Sequence, residues 1–89
     1  MPVVWIPSLL RALARGQEKV AVAGTSIGDI IDELDQLFPG MRARLRDGDS
    51  LRAGMAVVVD TEVARRGLAQ PVGDTSEVHF LPAVSGGQV

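Results

Sequence analysis

Apolar and polar positions alternate over short stretches near both ends of the chain and follow a helical period once, between residues 25 and 38. Val3–Ile6 is a short apolar run. Alternation places Val4 and Ile6 on one face of a strand and Val3 and Trp5 on the other. Pro7 has no N–H to give to a ladder and ends that strand. Ser8–Gln17 mixes Leu9, Leu10 and Leu13 with arginines and Gly16, and reads as a long hairpin connection. Glu18–Ala23 alternates again: Val20 and Val22 point one way, Lys19, Ala21 and Ala23 the other, which predicts a strand with one buried face ended by Gly24. Over Thr25–Phe38, residues Ile27, Ile30, Ile31, Leu34 and Phe38 recur at helical spacing and form one apolar stripe. Ser26 suits the N-cap, and Asp29 falls three residues on, where a negative charge meets the positive end of the helix dipole. Asp32, Glu33, Asp35 and Gln36 make the wet side, and Pro39-Gly40 stops the helix.

The second half of the chain reads as strands and turns. Met41–Arg46 carries arginines at alternate positions and reads as a second short helical turn. Asp47-Gly48-Asp49-Ser50 is a turn cluster. Met55–Val59 is a near-continuous apolar run of the kind found in interior strands. Asp60-Thr61 turns the chain, and Glu62–Ala64 can pair back. Gly73-Asp74 is another turn. Glu77–Leu81 then alternates, with Val78 and Phe80 on one face and His79 and Leu81 on the other, and Pro82 closes it. Two strands, a helix and further strands predict an α+β domain: a mixed sheet of four to five strands with one main helix packed on one face. The first and last strands are separated by a helix-containing crossover, so they can lie side by side and parallel at the sheet centre.

Composition narrows what such a domain does. Eighty-nine residues and 9.4 kDa support one core, not a two-domain enzyme. A hydrophobic fraction of 46% excludes a disordered tail, and a net charge of −2 argues against a nucleic-acid binder. There is no cysteine, so no disulfide scaffold, thiolate metal site or cysteine nucleophile. No apolar run reaches the roughly 18 residues of a membrane span, and the opening Met-Pro-Val-Val-Trp lacks the basic start of a secretory signal, so the chain is expected in the cytoplasm. His79 is the only histidine, and nothing in the sequence fixes partners for it. Gly24–Gly28 lies between strand and helix but lacks the lysine of a phosphate loop. Asp47 and Asp49 lack the further ligands of a calcium loop. The expectation is a protein with no catalytic residues, no metal and no bound cofactor. Eight of its nine positive charges are arginine, and Lys19 is the only lysine.

The last residues carry the sharpest motif. A Gly-Gly pair lets backbone pass through a narrow channel, because glycine has no side chain. Gly86-Gly87-Gln88 also spells the tripeptide of peptide-release factors, which carry it on a loop of a large RNA-binding protein; a small acidic domain does not fit that use. The run Val78-His79-Phe80-Leu81-Pro82-Ala83-Val84-Ser85-Gly86-Gly87 resembles the C-terminal signature of the MoaD/ThiS sulfur-carrier family. Ile6-Pro7-Ser8-Leu9-Leu10-Arg11, Gly16-Gln17, Gly28–Leu34, Val57–Val63 and Leu81–Val84 are similar to the CysO branch of that family. The resemblance implies a β-grasp, ubiquitin-like domain over residues 1–84 and a flexible tail over 85–89.

The resemblance also implies a chemistry and a set of partners. An E1-like enzyme consumes ATP to adenylate the carboxylate of Gly87, a sulfur donor converts the adenylate to a thiocarboxylate, and a sulfur-accepting synthase takes the sulfur. Cysteine biosynthesis is the expected destination, with molybdopterin, thiamin or a secondary metabolite as alternatives. A ubiquitin-like modifier joined to proteins through Gly87 is another. Lys19 and the N-terminus would be the only acceptors for self-linked chains, which favours the carrier. Here Gln88-Val89 follows Gly87, so a peptidase is expected to remove it before activation. Gly86 keeps the approach narrow, and Ala83, Val84 and Ser85 complete the threaded tail. Val3, Trp5, His79 and Leu81 would form a partner-binding patch on the open sheet face. For Trp5 core packing stands as an alternative, and for His79 a plain surface position.

Overall fold

A computed structural model describes residues 1–82. In chain order its elements are β1 (Val3–Trp5), β2 (Lys19–Ala21), α1 (Ile27–Leu37), α2 (Met41–Leu45), β3 (Arg46–Asp47), β4 (Ser50–Leu51), β5 (Met55–Val59), β6 (Glu62–Val63) and β7 (Glu77–Pro82). Five of the strands form one sheet in the order β2-β1-β7-β5-β6, while β3 and β4 pair separately. β7 lies parallel to β1 and antiparallel to β5. A parallel pair needs a long crossover, and everything from β2 to β6 provides it. The expected parallel pairing of first and last strands is therefore present, with β7 in the middle.

The sheet holds together by burying one face under α1. Ile27, Ile30, Ile31 and Leu34 have no exposed surface, and Phe38 is buried just beyond the helix. They meet Val4, Ile6, Val57, Val78 and Phe80 from the sheet in one core. Local chemistry sets the helix start. The Ser26 hydroxyl oxygen accepts from the Asp29 backbone N–H at 3.2 Å, and the Asp29 carboxylate accepts from the Thr25 N–H at 3.3 Å. This reciprocal arrangement satisfies donors that a helix N-terminus leaves without partners. Gly24 precedes it at φ +153°, and a Cβ there would stand 3.0 Å from side-chain carbons of Asp29 and Ile30. The backbone angle and the close contacts together favour glycine at this strand-to-helix corner.

Several expectations are refined. The wet side of α1 is more than a solvated surface. Asp35 Oδ1 accepts from the N–H groups of Gly40 and Arg42 at 3.1 and 3.0 Å and so caps α2. Asp32 Oδ1 draws in Arg42 and Arg46 at 3.5 and 3.2 Å. The Ser8–Gln17 connection does join antiparallel β1 and β2, but it opens with a 3-10 turn at Ser8–Leu10 and buries Leu10 and Ala14 in the core. The second strand is shorter than Glu18–Ala23, and the last continues through Pro82, which pairs with Met55. Asp60 turns the chain at φ +56°. Its carboxylate accepts from Ser76 Oγ and from the Glu77 N–H, both at 2.9 Å, and so ties the β5–β6 turn to the start of β7.

Candidate functional site

The face of the sheet away from α1 is uncovered, and strand register decides what it displays. Residues directly opposite one another on neighbouring strands share a face. Trp5 pairs with Lys19 on one side and His79 on the other; His79 pairs with Val58, and Val58 with Val63. One continuous row, Lys19–Trp5–His79–Val58–Val63, therefore crosses all five strands. Val3, beside Glu77 and Ala21, lies in the neighbouring row towards the start of β7, and Leu81, beside Ala56, in the neighbouring row towards its end.

The centre of the row is held by specific contacts. The Trp5 and His79 rings stack, with centroids 5.4 Å apart and planes 5° from parallel. The Lys19 ammonium sits 5.2 Å from the Trp5 ring centre. Trp5 Nε1–H donates to Glu77 Oε1 at 3.2 Å. Ring pairs of this kind contribute about 0.5–1.5 kcal/mol beyond area, and an exposed ammonium over an indole about 0.5–1 kcal/mol. The indole is thus fixed from two sides and by its own N–H while keeping part of its surface in solvent. A rigid aromatic with most of its ordering cost already met is a strong anchor for a partner.

The four residues expected to form a patch, Val3, Trp5, His79 and Leu81, do lie on one face. Of the two readings of Trp5, the open-face position is the one observed; Val4 and Ile6 take the core instead. His79 is half-buried between Trp5 and Val58, while Leu81 is exposed. Lys19, Glu77, Val58 and Val63 also belong to this surface, and sequence reasoning did not assign them to it. Lys19 was visible in the alternation of β2. Val58 was hidden because β5 is apolar on both faces. Ala83, Val84, Ser85, Gly86 and Gly87, with Gln88-Val89, lie outside the described residues, which end where β7 ends at Pro82.

Among the described residues, no three His, Cys, Asp or Glu side chains converge as a metal site. Asp47 and Asp49 flank Gly48 around the β3–β4 turn, and the Ser50 hydroxyl donates to the Asp47 carbonyl oxygen at 3.3 Å. Nor is any helix among these residues long and apolar enough to cross a membrane.

Comparison with known proteins gives this arrangement a family. The model of the ThiS family matches residues 4–87. The sulfur carrier protein CysO of Mycobacterium tuberculosis is 36% identical over 89 residues, covering 94% of this chain and 96% of its own. The crystal structure of that protein superposes with a TM-score of 0.87 at 34% identity, covering 94% of this chain and 100% of its own. The Amycolatopsis orientalis BexX/CysO complex contains a chain that superposes with a TM-score of 0.90 at 34% identity, over 98% of this chain and 100% of that one. These matches carry the β-grasp, ubiquitin-like fold. Proteins of this kind are small carriers rather than catalysts. With a family match spanning nearly its whole length, the chain belongs to the ThiS family.

Proposed function

We propose that this protein is a sulfur carrier that works through Gly87. The observation that carries the reading is the similarity to sulfur carrier protein CysO across 94% of the chain, supported by a family match that runs through the tail and stops at Gly87. Gly87 is followed by Gln88 and Val89 and has no free carboxylate until they are removed. A peptidase hydrolyses the Gly87–Gln88 bond. An E1-like enzyme then binds the carrier, and a Gly87 carboxylate oxygen attacks the α-phosphorus of ATP, releasing pyrophosphate. Hydrosulfide, or a donor that releases it, attacks the acyl carbon and AMP leaves, which gives the Gly87 thiocarboxylate with no change of oxidation state. A sulfur-accepting synthase receives the sulfur. The name of the similar carrier favours cysteine biosynthesis over molybdopterin, thiamin or a secondary metabolite.

The protein's own contribution is delivery. The row centred on Trp5, with Val3, His79 and Leu81, is the docking surface for the activating enzyme. ATP is consumed on the partner, and the carrier binds no cofactor. Gly86 and Gly87 present no side chain to the partner's channel.

The test is the intact mass of the protein isolated from its own cells. The expected result is loss of Gln-Val with one oxygen replaced by sulfur. A chain ending at Gly87 that stays unmodified after incubation with ATP, a sulfur donor and the activating enzyme would reduce the protein to a binding module. Gly87 found in amide linkage to lysines of other proteins would assign it as a modifier instead.

A further inference from the structure

Charge is distributed unevenly along β7. Its start is acidic: Asp60 binds the Ser76 hydroxyl and the Glu77 N–H, and Asp74 pairs with the terminal ammonium at 3.3 Å. Its far end, where the chain leaves the sheet, borders a groove of about 620 Å³ between the Ser8–Leu10 turn and the loop entering β5. Arg11, Arg44 and Arg52 line this groove, and among the described residues no carboxylate does. The protein has 11 Asp and Glu against 9 Lys and Arg, so three guanidiniums without a single acid at one site run against its composition.

The arginines differ in how they are held. Arg11 is anchored by Nε donating to the Ile6 carbonyl oxygen at 3.1 Å and by Glu18 at 3.8 Å. Arg52 donates one N–H to the Ala43 carbonyl oxygen at 3.3 Å, which leaves most of its fork outward. Arg42 and Arg46, on either side of Arg44 in sequence, are taken by Asp32; Arg44 and Arg52 pair with no carboxylate among the described residues. The floor between them is apolar: Met55, Leu81 and Pro82 present surface there, over the buried side chains of Ile6, Leu10 and Phe80. Leu9 stands on the rim 85% exposed.

We propose that this groove docks an acidic segment of a partner protein, in which carboxylates flank a large apolar side chain. The carboxylates meet Arg44 and Arg52, whose planar forks suit bidentate contact, and the apolar side chain covers Leu9 and the floor. A phosphate chain would use the guanidiniums but gain nothing from the floor. A nucleic acid would also have to approach a protein of net negative charge. The groove lies next to the end of the last strand, so a partner engaged there is placed to handle the tail. That last step rests on the carrier function; the groove's preference for an acidic apolar segment does not.

The experiment is an NMR titration of the isotopically labelled full chain with the synthetic peptide acetyl-Glu-Leu-Glu-Phe-Glu-amide, with the Lys-for-Glu peptide and inorganic pyrophosphate as comparators. The acidic peptide is expected to shift the amides of Leu9, Arg44, Arg52 to Met55 and Leu81, and to weaken about tenfold as added salt brings the screening length down to a few ångströms. The lysine peptide and pyrophosphate are expected to leave those amides in place. The Arg44→Glu/Arg52→Glu double variant, two exposed positions whose spectrum otherwise reports an intact fold, loses the response. Absent shifts, equal shifts from both peptides, equal shifts from pyrophosphate, or a response that survives in the double variant would each overturn the assignment. A protein that responds as expected but never gains sulfur would sink the carrier function and leave the groove standing.

Discussion

Phe80 and Leu81 are neighbours in the chain, yet Phe80 is 1% exposed and Leu81 44%. The difference belongs to the whole sheet. On the α1 side, Val4, Ile6, Val57, Val78 and Phe80 are buried. On the other side, Val3, Trp5, Ala56, Val58 and His79 are half-buried by one another and by no second layer, and Leu81 and Val63 are exposed. A two-layer domain needs only one apolar sheet face, and the free face of an antiparallel sheet usually turns polar. Here it keeps a Trp, three valines and a leucine. The covered face accounts for the fold, and the open face keeps apolar surface that the fold does not need.

Substitutions on each side sharpen that contrast. Phe80→Ala empties a fully packed site and should cost about 3–5 kcal/mol of stability, read as a lower midpoint in urea unfolding; a loss under about 1 kcal/mol would mean the two faces are not energetically distinct. Trp5→Ala should cost about 1 kcal/mol in the same experiment, the worth of its ring contacts. It should instead weaken binding to the activating enzyme by about 2 kcal/mol, roughly thirtyfold, in calorimetric titration. Unfolding on Trp5→Ala would move that residue into the core. Lys19→Met keeps an unbranched stem of similar length but removes the charge over the indole. It should change stability by about 0.5 kcal/mol and loosen the ring, seen as red-shifted Trp5 fluorescence.

The large elements were legible in the sequence because each carries its own signal. The five stripe residues, four in α1 and Phe38 just beyond it, are all buried, and the Ser26 cap forms as its side chain predicts. The alternation at Val78–Leu81 assigned both faces of β7 correctly. What stayed hidden depends on segments distant in sequence. The β3–β4 pairing has two residues per strand, too few for any period to show. Asp32 looks like another wet-side acid until α2 folds back and brings Arg42 and Arg46 to it. The arginine groove draws on residues near positions 5–11, 44, 52–55 and 79–82, and no local pattern announces that these meet.

The placement of β7 also has a mechanical consequence. Its last residue, Pro82, pairs with Met55, and from there back to Val78 the strand is matched along β5, with β1 joining over Glu77–His79. Traction on the chain beyond Pro82 is directed along the axis of a strand held by β5 over Val78–Pro82 and by β1 over Glu77–His79. The ladder bonds are then loaded together in shear, and they do not peel away one at a time as they would from an edge strand. Pulling on the far end of this chain therefore loads the central strand of the sheet and not an edge.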